Sequence, residues 1–184
     1  GTGVPQDIGY NGTDGIATEK ELKYDMHDIR KYTLWGNIMA GGAGVEYYFG
    51  YRLPENDLIA EDFRSRNKSW EYANTALQFF KAEKIPFWEM KNADAIIENP
   101  KNTNQKYCLA KEGEIYLIYL PKGGNSNIDL KDVKGTLSVK WFSPILGGKL
   151  INSDIKKLKG GGVVNTGNPP SESNQDWLVV LKKK

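Results

Sequence analysis

The stretch TLWGNIMAGGAGVEYYFGY, residues 33–51, determines how the first half of this chain is expected to fold. An apolar run ends in a glycine-rich turn, and the aromatic segment GVEYYFG at 44–50 then has the composition of a β-strand. Alternation along that strand places Glu46 and Tyr48 on the side opposite to Tyr47. Because a carboxylate is costly to bury without a partner, Glu46 is a candidate functional residue.

A helix is predicted on each side of this strand. The sequence TEKE at 18–21 matches a capping box, and the helix that it starts ends at the glycine pair 41–42. A second helix is predicted over 65–84, before Pro86 stops it. Apolar residues recur at 3.6-residue spacing in both helices. They are Leu22, Met26, Ile29 and Thr33 in the first helix, and Trp70, Ala73, Leu77 and Phe80 in the second.

The stripe on the second helix is too wide and too aromatic to be covered by one strand and one helix. The first half is therefore expected either to be a piece of a larger fold or to dock against the second half. Near Met90 the pattern changes from helical to strand-like, and we predict a boundary there between a domain at 1–90 and a domain at 91–184.

Short runs of strand composition, separated by turn signals such as PKGGNS and SPILGG, fill the second half. Six or seven strands over about ninety residues predict an antiparallel β-sandwich. The segment KGGGVVNTGNPPSESNQ is predicted as a long loop before the closing strand. The predicted strands are 107–110, 114–120, 127–130, 136–142, 149–152 and 176–181.

Charge is divided unevenly along the 184 residues, although the net charge is only +2. Residues 1–90 carry 10 Lys/Arg and 14 Asp/Glu, and residues 91–184 carry 15 and 9. The basic residues of the second half are scattered, which favours a solvated surface over a nucleic-acid site. No apolar run approaches the length of a membrane span, so neither nucleic acid nor a membrane is expected as a partner.

The single cysteine and the single histidine are weak candidates for chemistry. Cys108 lies in the apolar run YCLA and is predicted to be a small core residue. His27 stands in DMHD at 25–28, but adjacent residues on a helix do not share a face and do not converge on one ion. We predict no metal site and no cofactor.

Two carboxylates, Asp7 and Glu46, are the candidate catalytic residues. A glycosidase needs a pair of carboxyl groups, one on each side of the scissile bond. A turn residue is the alternative role for Asp7, and a simple ion pair is the alternative for Glu46. The aromatic residues near them are candidates for stacking on sugar rings: Tyr10, Tyr47, Tyr48 and Tyr51.

Two blocks of sequence resemble known proteins. The runs IRKYTLWGNIMAGGAGVEYYFGY and EDFRSRNKSWEYANTALQFF resemble the end of the (β/α)8 barrel in bacterial glycoside-hydrolase-like proteins related to the apiosidase-like barrels. The runs EIYLIYLP, WFSPILGG and DWLVVL resemble the domain commonly fused after that barrel, labelled a "putative collagen-binding domain of a collagenase". The resemblance implies that 19–41 is the seventh barrel helix, 44–50 the eighth strand and 65–84 the eighth helix.

The resemblance also implies where a site would lie. Active sites of such barrels lie at the C-terminal ends of the strands, near Glu46 and its neighbouring tyrosines, with Asp7 in the segment that leaves the seventh strand. Family members often have Asp-Glu followed by Gly where this chain has QDIG at 6–9. If the registers align, Asp7 replaces the Glu and its carboxylate is set back by one methylene group.

The expected fold is therefore an α/β barrel remnant, the last helix–strand–helix of a TIM barrel, followed by an all-β antiparallel sandwich. We expect the C-terminal fragment of a secreted or periplasmic glycoside hydrolase acting on glycans, which is not catalytic without the earlier strands. The alternative is a non-catalytic module that binds collagen or polysaccharide. That alternative predicts an exposed aromatic or basic patch, involving Tyr116, Tyr119 or Trp141. Because these residues alternate along their strands, at least some of them are expected to be core residues instead.

Overall fold

The computed structural model describes residues 26–46 and 67–183 of the chain. Within these ranges a layer of helices covers one face of a six-stranded antiparallel sheet. A two-stranded antiparallel sheet covers the opposite face. None of the described helices is long and apolar enough to span a membrane.

The first helix, α1, departs from α-helical geometry in its middle. It consists of three consecutive segments, Met26–Asp28, the π-helical Ile29–Trp35, and Gly36–Met39. Hydrogen bonds in a π-helix join residues five apart, so such residues lie on the same face. The buried side chains follow this spacing, from Ile29 to Leu34 and from Arg30 to Trp35. The predicted 3.6-residue spacing through Thr33 was wrong here, since Thr33 is only half-buried.

The second helix, α2, spans Asn67–Ala82 and confirms the helix predicted over 65–84. Its fully buried side chains are Tyr72, Ala76 and Phe79, which lie one position before the predicted stripe. Two members of that stripe, Trp70 and Leu77, are exposed instead. The other two members, Ala73 and Phe80, are half-buried, so this helix carries apolar residues on two faces.

The rest of the described chain contains eight strands and two short 3₁₀ segments, joined by turns and loops. The 3₁₀ segments are Phe87–Glu89 and Asp94–Ile97. The strands are β1 (Lys91–Asn92), β2 (Tyr107–Lys111), β3 (Ile115–Leu120), β4 (Asn127–Asp129), β5 (Thr136–Phe142), β6 (Lys157–Lys159), β7 (Val163–Asn165) and β8 (Trp177–Lys183). The larger sheet has the order β1-β2-β3-β8-β5-β6, and β4 pairs with β7 in the smaller one.

Most predicted strands are confirmed within one or two residues, and four segments differ. Residues 149–152 do not form a strand, because only Ile151 makes an isolated bridge with Trp141. The strands β1, β6 and β7 were not predicted, and β7 lies inside the segment that was predicted as a loop. Each of these three strands is only two or three residues long, which is too short to show an alternating pattern.

Both faces of the larger sheet are buried at its central strands. In β3 every residue is buried, as its continuous apolar run IYLIYL requires for a strand covered on two sides. Leu117 and Tyr119 face the helices, while Tyr116 and Ile118 face the smaller sheet. Cys108 is fully buried, which confirms it as a core residue.

The expected exposed aromatic patch is absent from the described residues named for it. Tyr116, Tyr119 and Trp141 are all buried, since the helices cover one face of the sheet and the smaller sheet covers the other. That version of the binding-module hypothesis was therefore wrong.

The antiparallel β-sandwich is confirmed in outline, but a barrel remnant is not evident. The described part of the predicted eighth strand, 44–46, has no regular secondary structure, and its remaining residues lie outside the described ranges. Side chains on both sides of residue 90 share one core, with Trp35 and Phe79 packed in the same cluster as Leu117 and Leu178. The domain boundary at 90 stays a prediction.

Candidate functional site

Glu46 is the one predicted site residue within the described ranges. It is exposed and directly follows the half-buried Val45, which packs against the core shared by the helices and the sheet. The other candidates lie outside the described residues and stay predictions: Asp7, Tyr10, Tyr47, Tyr48 and Tyr51. In the described part of the chain no three His, Cys, Asp or Glu side chains gather closely enough to hold a metal ion.

A buried ion pair fastens α1 to the sandwich. Arg30 donates two hydrogen bonds to Asp176, from Nε to Oδ2 at 3.0 Å and from Nη2 to Oδ1 at 2.6 Å. Both side chains are almost completely inaccessible to solvent. Burial opposes the charge on Arg30, but the hydrogen bonds and the negative charge of Asp176 outweigh it and raise the pKa of Arg30. The pair is thus charged and fully desolvated.

The remaining polar atoms of this pair are also occupied. The Tyr119 hydroxyl donates to Asp176 Oδ2 at 2.8 Å, and Arg30 Nη1 donates to His27 Nδ1 at 2.7 Å. The guanidinium carbon of Arg30 lies 4.5 Å from the centre of the Tyr72 ring. Burial and the nearby Asp176 charge hold the pKa of Tyr119 well above its usual value, so its hydroxyl stays protonated. This network, which we call the clamp, joins α1 and α2 to β3 and to Asp176, the residue before β8.

An aromatic cluster beside the clamp completes the joint between the helices and the sandwich. The Trp35 ring is fully buried and stacks on Tyr119 with ring centres 5.4 Å apart. Phe79 of α2 lies against Phe142 of β5 at 4.5 Å. These contacts fix the orientation of both helices on the sheet.

An apolar groove of about 350 Å³ lies between the two helices and the residues that follow each of them. Its walls come from both helices, from residues 42–45 after α1 and from Phe87 after α2. The helix side chains that line it are Leu34, Ile38, Ala73, Ala76, Leu77 and Phe80. Residue 45 is the last groove residue before Glu46, so the candidate carboxylate follows the groove wall directly.

Large apolar side chains near this groove are exposed. Leu77 is 68% exposed and Trp70, one helical heptad earlier on α2, is 46% exposed. Trp88, next to the groove residue Phe87, is 81% exposed. Single exposed apolar residues are ordinary on a protein surface, but an apolar groove together with an apolar helix face marks an interaction surface. We call Leu77 and the groove the open face of the helices.

Sequence reasoning missed the clamp and anticipated the open face only in part. Arg30 and Asp176 are 146 positions apart, and nothing in the local pattern indicates that either is buried. For the open face a signal existed, because Leu77 belongs to an apolar stripe that is visible in the sequence. That stripe was expected to pack either on the rest of a larger fold or on the second half, and the structure leaves Leu77 exposed.

A match to a known protein family covers only the second half of the chain. Residues 93–182 match a family described as "Putative collagen-binding domain of a collagenase". The resemblance inferred for the second half is thereby confirmed for these residues. No curated protein matches the chain.

Solved structures extend the similarity to nearly the whole chain. One is named "Glycoside hydrolase" and another is a glycoside hydrolase family 5 from Bacteroides vulgatus ATCC 8482. Each is 18% identical in sequence and superimposes with a TM-score of 0.70, covering 97% of this chain. The chain spans only 40% of the length of either structure. This likeness shows a shared fold and does not transfer an activity.

Proposed function

We propose that this chain is the C-terminal part of a glycoside hydrolase, in which 91–184 form an accessory β-sandwich fastened to the end of a catalytic (β/α)8 barrel. In this proposal α1 and α2 are the last two barrel helices. The joint made by the clamp and the aromatic cluster then sets the orientation of the sandwich relative to the barrel.

One observation carries the proposal: α2 is apolar on two faces, and described residues cover the second face only in part. Tyr72 and Phe79 pack toward the sandwich, while Leu77 and the groove remain open. A helix that is apolar on both faces is typical of a helix packed between two layers. The last helix of a barrel with an appended domain has this position, with barrel strands on one side and the domain on the other.

The lengths of the similar structures support the same interpretation. Both are named as glycoside hydrolases, and this chain covers 40% of each. Each of these structures is therefore about two and a half times as long as this chain, which leaves room for the earlier part of a barrel of about 250 residues. Since glycan polymers are found mainly outside cells, we propose a secreted or periplasmic location.

For catalysis, the proposal assigns Asp7 and Glu46 as the carboxylate pair. One would act as the acid that protonates the leaving oxygen, and the other as nucleophile or base. Tyr10, Tyr47, Tyr48 and Tyr51 would contact the sugar rings. The exposed position of Glu46 at the end of the groove wall is compatible with access by a substrate.

The test is hydrolysis of a panel of glycans by the native protein that contains this sequence, after its intact mass is measured. We expect a mass well above 20.7 kDa and release of reducing sugar from at least one glycan. Glu46→Gln and Asp7→Ala should each lower kcat by at least about a hundredfold, as loss of general acid–base catalysis does. Glu71→Gln, on the exposed surface of α2, is the matched control and should retain full activity.

A native protein that ends within these residues, or one that hydrolyses no glycan, would overturn the catalytic proposal. The family match favours a second candidate function, a non-catalytic module that binds collagen or polysaccharide. Pull-down with insoluble collagen and insoluble polysaccharides tests it directly. Retention without hydrolysis would favour the binding module over the enzyme.

A further inference from the structure

A second concave site lies on the side of the larger sheet away from the helices. It has a volume of about 440 Å³ and is formed by four parts of the sandwich. These are Ile96 of a 3₁₀ segment, residues 112–113 of the turn between β2 and β3, Tyr116 of β3, and Asp129 with residues 131–133 around the end of β4. We call this site the polar pocket, and it shares no residue with the groove or the clamp.

Tyr116 contributes a buried hydroxyl to the polar pocket. The residue is 2% exposed, and its hydroxyl accepts a hydrogen bond from the Gly113 amide at 2.7 Å. Among the described residues no acceptor is found for the proton of this hydroxyl. Burial raises the pKa of Tyr116, so the hydroxyl keeps that proton at neutral pH. The pocket therefore contains a fixed hydrogen-bond donor.

The mouth of the polar pocket carries charged groups of both signs. Lys131 Nζ lies 3.6 Å from Asp129 Oδ2, and the Lys131 amide donates to Asp129 Oδ1 at 3.0 Å. Asp132 and Glu112 are exposed at the rim. Half-buried Ile96 and Val133 supply apolar walls between these polar groups.

We propose that the polar pocket binds one sugar unit of a neutral glycan. Tyr116 and Lys131 would donate hydrogen bonds to its hydroxyl groups, and Asp132 would accept one. Ile96 and Val133 would contact the C–H face of the ring. The mixture of a few convergent polar groups with apolar walls suits a ligand that is hydroxylated on its edge and apolar on its face. The proposal relies on the proposed function only for glycan as the class of ligand.

The charges around the polar pocket only partly offset each other. Its lining has three carboxylates, on Glu112, Asp129 and Asp132, and one lysine, Lys131, which is paired with Asp129. In the described residues the pocket carboxylates are too dispersed to form a metal site. A lysine-rich peptide is therefore the competing ligand that the experiment must distinguish from a neutral glycan.

The experiment uses the 184-residue chain, labelled with ¹⁵N, and records its amide spectrum by NMR during titration. The probes are cellotetraose, xylotetraose and mannotetraose, each added to about 10 mM, because a single sugar subsite is expected to have a Kd of about 1 mM. We expect at least one of them to shift the amide signals of Gly113 and of residues 129–133. The amides of α1 and α2 should stay unchanged.

Two substitutions test the contacts, each with a matched control. Tyr116→Phe removes the hydroxyl and keeps the ring, and Lys131→Ala removes the ammonium group. Each should weaken binding by about threefold to tenfold, which corresponds to one hydrogen bond. The controls are Tyr107→Phe, a hydroxyl on the helix-covered face of β2, and Lys134→Ala, an exposed lysine outside the pocket. Both controls should bind as the unmodified chain does, and thermal melting checks that every variant is folded.

The polar-pocket proposal fails if none of the three probes shifts these amides, if the shifts fall elsewhere, or if folded Tyr116→Phe and Lys131→Ala bind normally. It also fails if a lysine-rich peptide shifts the pocket amides and the glycans do not. Glycan hydrolysis by the longer native protein, with no pocket shifts, would leave the proposed function standing and remove only this inference. Pocket shifts in this chain, together with a native protein that hydrolyses no glycan, would overturn the catalytic proposal and leave the polar-pocket proposal standing.

Discussion

Replacing Asp176 by Asn tests whether the clamp holds the helices on the sandwich. The substitution keeps the shape of the side chain but removes the negative charge opposite Arg30, which is 2% exposed. Removing one partner of a buried ion pair costs about 3–5 kcal/mol, because the other charge is left desolvated. Domains have a total free energy of unfolding of only about 5–15 kcal/mol. We therefore expect Asp176→Asn to lower the free energy of unfolding by a third or more.

Urea unfolding and thermal melting measure this loss, and hydrogen exchange locates it. At about 2–4 °C per kcal/mol for a chain of this size, the melting temperature should fall by about 10 °C. Exchange should accelerate first in α1, whose link to Asp176 is broken, and later in β3 and β8. The control is Glu71→Gln, which breaks the exposed pair between Lys68 and Glu71 and should leave the melting temperature unchanged.

A double variant separates the charge from the packing. In Arg30→Met with Asp176→Leu neither charge remains, so about half or more of the lost stability should return. The reasoning about the clamp is refuted if Asp176→Asn melts as Glu71→Gln does. It is also refuted if the double variant is as unstable as the sum of its two single variants, because the loss would then come from packing alone.

Four further predictions concern other parts of the chain. Lys182 Nζ contacts Glu83 Oε2 at 2.8 Å in a half-buried pair, so Glu83→Gln should cost about 0.5–1 kcal/mol in urea unfolding. Burial raises the pKa of Cys108, so the thiol ionises more readily in the unfolded chain than in the folded one. The free energy of unfolding should therefore decline as the pH rises above about 8.5, and Cys108→Ala should flatten that decline. The Cys108 thiol should react with Ellman's reagent only after unfolding. Gly123 has a φ of +70°, and an added Cβ would overlap the Ser173 carbonyl, so Gly123→Ala should cost about 2 kcal/mol or more.

A matched pair of substitutions on α2 distinguishes the open face from ordinary surface. Leu77→Lys should leave the melting temperature of this chain unchanged, because the side chain is already 68% exposed. In the longer native protein the same change should lower the melting temperature by several degrees, since it would bury a charge against the barrel. Gln78→Lys, at an exposed polar position of the same helix, should be neutral in both. Equal tolerance of Leu77→Lys in both proteins would contradict the assignment of the open face.

The sequence predicted those elements whose patterns are long and regular. The helix at 65–84 and the strands β2, β3, β5 and β8 each carry five or more residues of consistent pattern, and each is found. The strands β6 and β7 are three residues long and leave no such pattern. In the π-helical segment Ile29–Trp35 the buried residues recur every five positions. A search for the 3.6-residue spacing of an α-helix does not detect this pattern.

The candidate site was less predictable than the fold, because its parts depend on distant neighbours. The burial of Arg30 follows from Asp176 and Tyr119, which are far away in sequence. Alternation along the strands did place Tyr116 and Tyr119 on opposite faces, but it did not show that both faces would be covered. That required knowing that β4 and β7 pair over one face and that α1 and α2 cover the other.

The shared core between the helices and the sandwich limits how this sandwich can be passed from one gene to another. A recombination event that joined residues 91–184 to a new partner would uncover the sheet face formed by Leu109, Leu117, Tyr119 and Val180. It would also leave Asp176 without Arg30. Such a transfer would succeed only if the new host supplied an equivalent pair of helices, or if 26–46 and 67–90 travelled with it. We therefore expect lineages to inherit the last two helices and the sandwich as one unit of sequence.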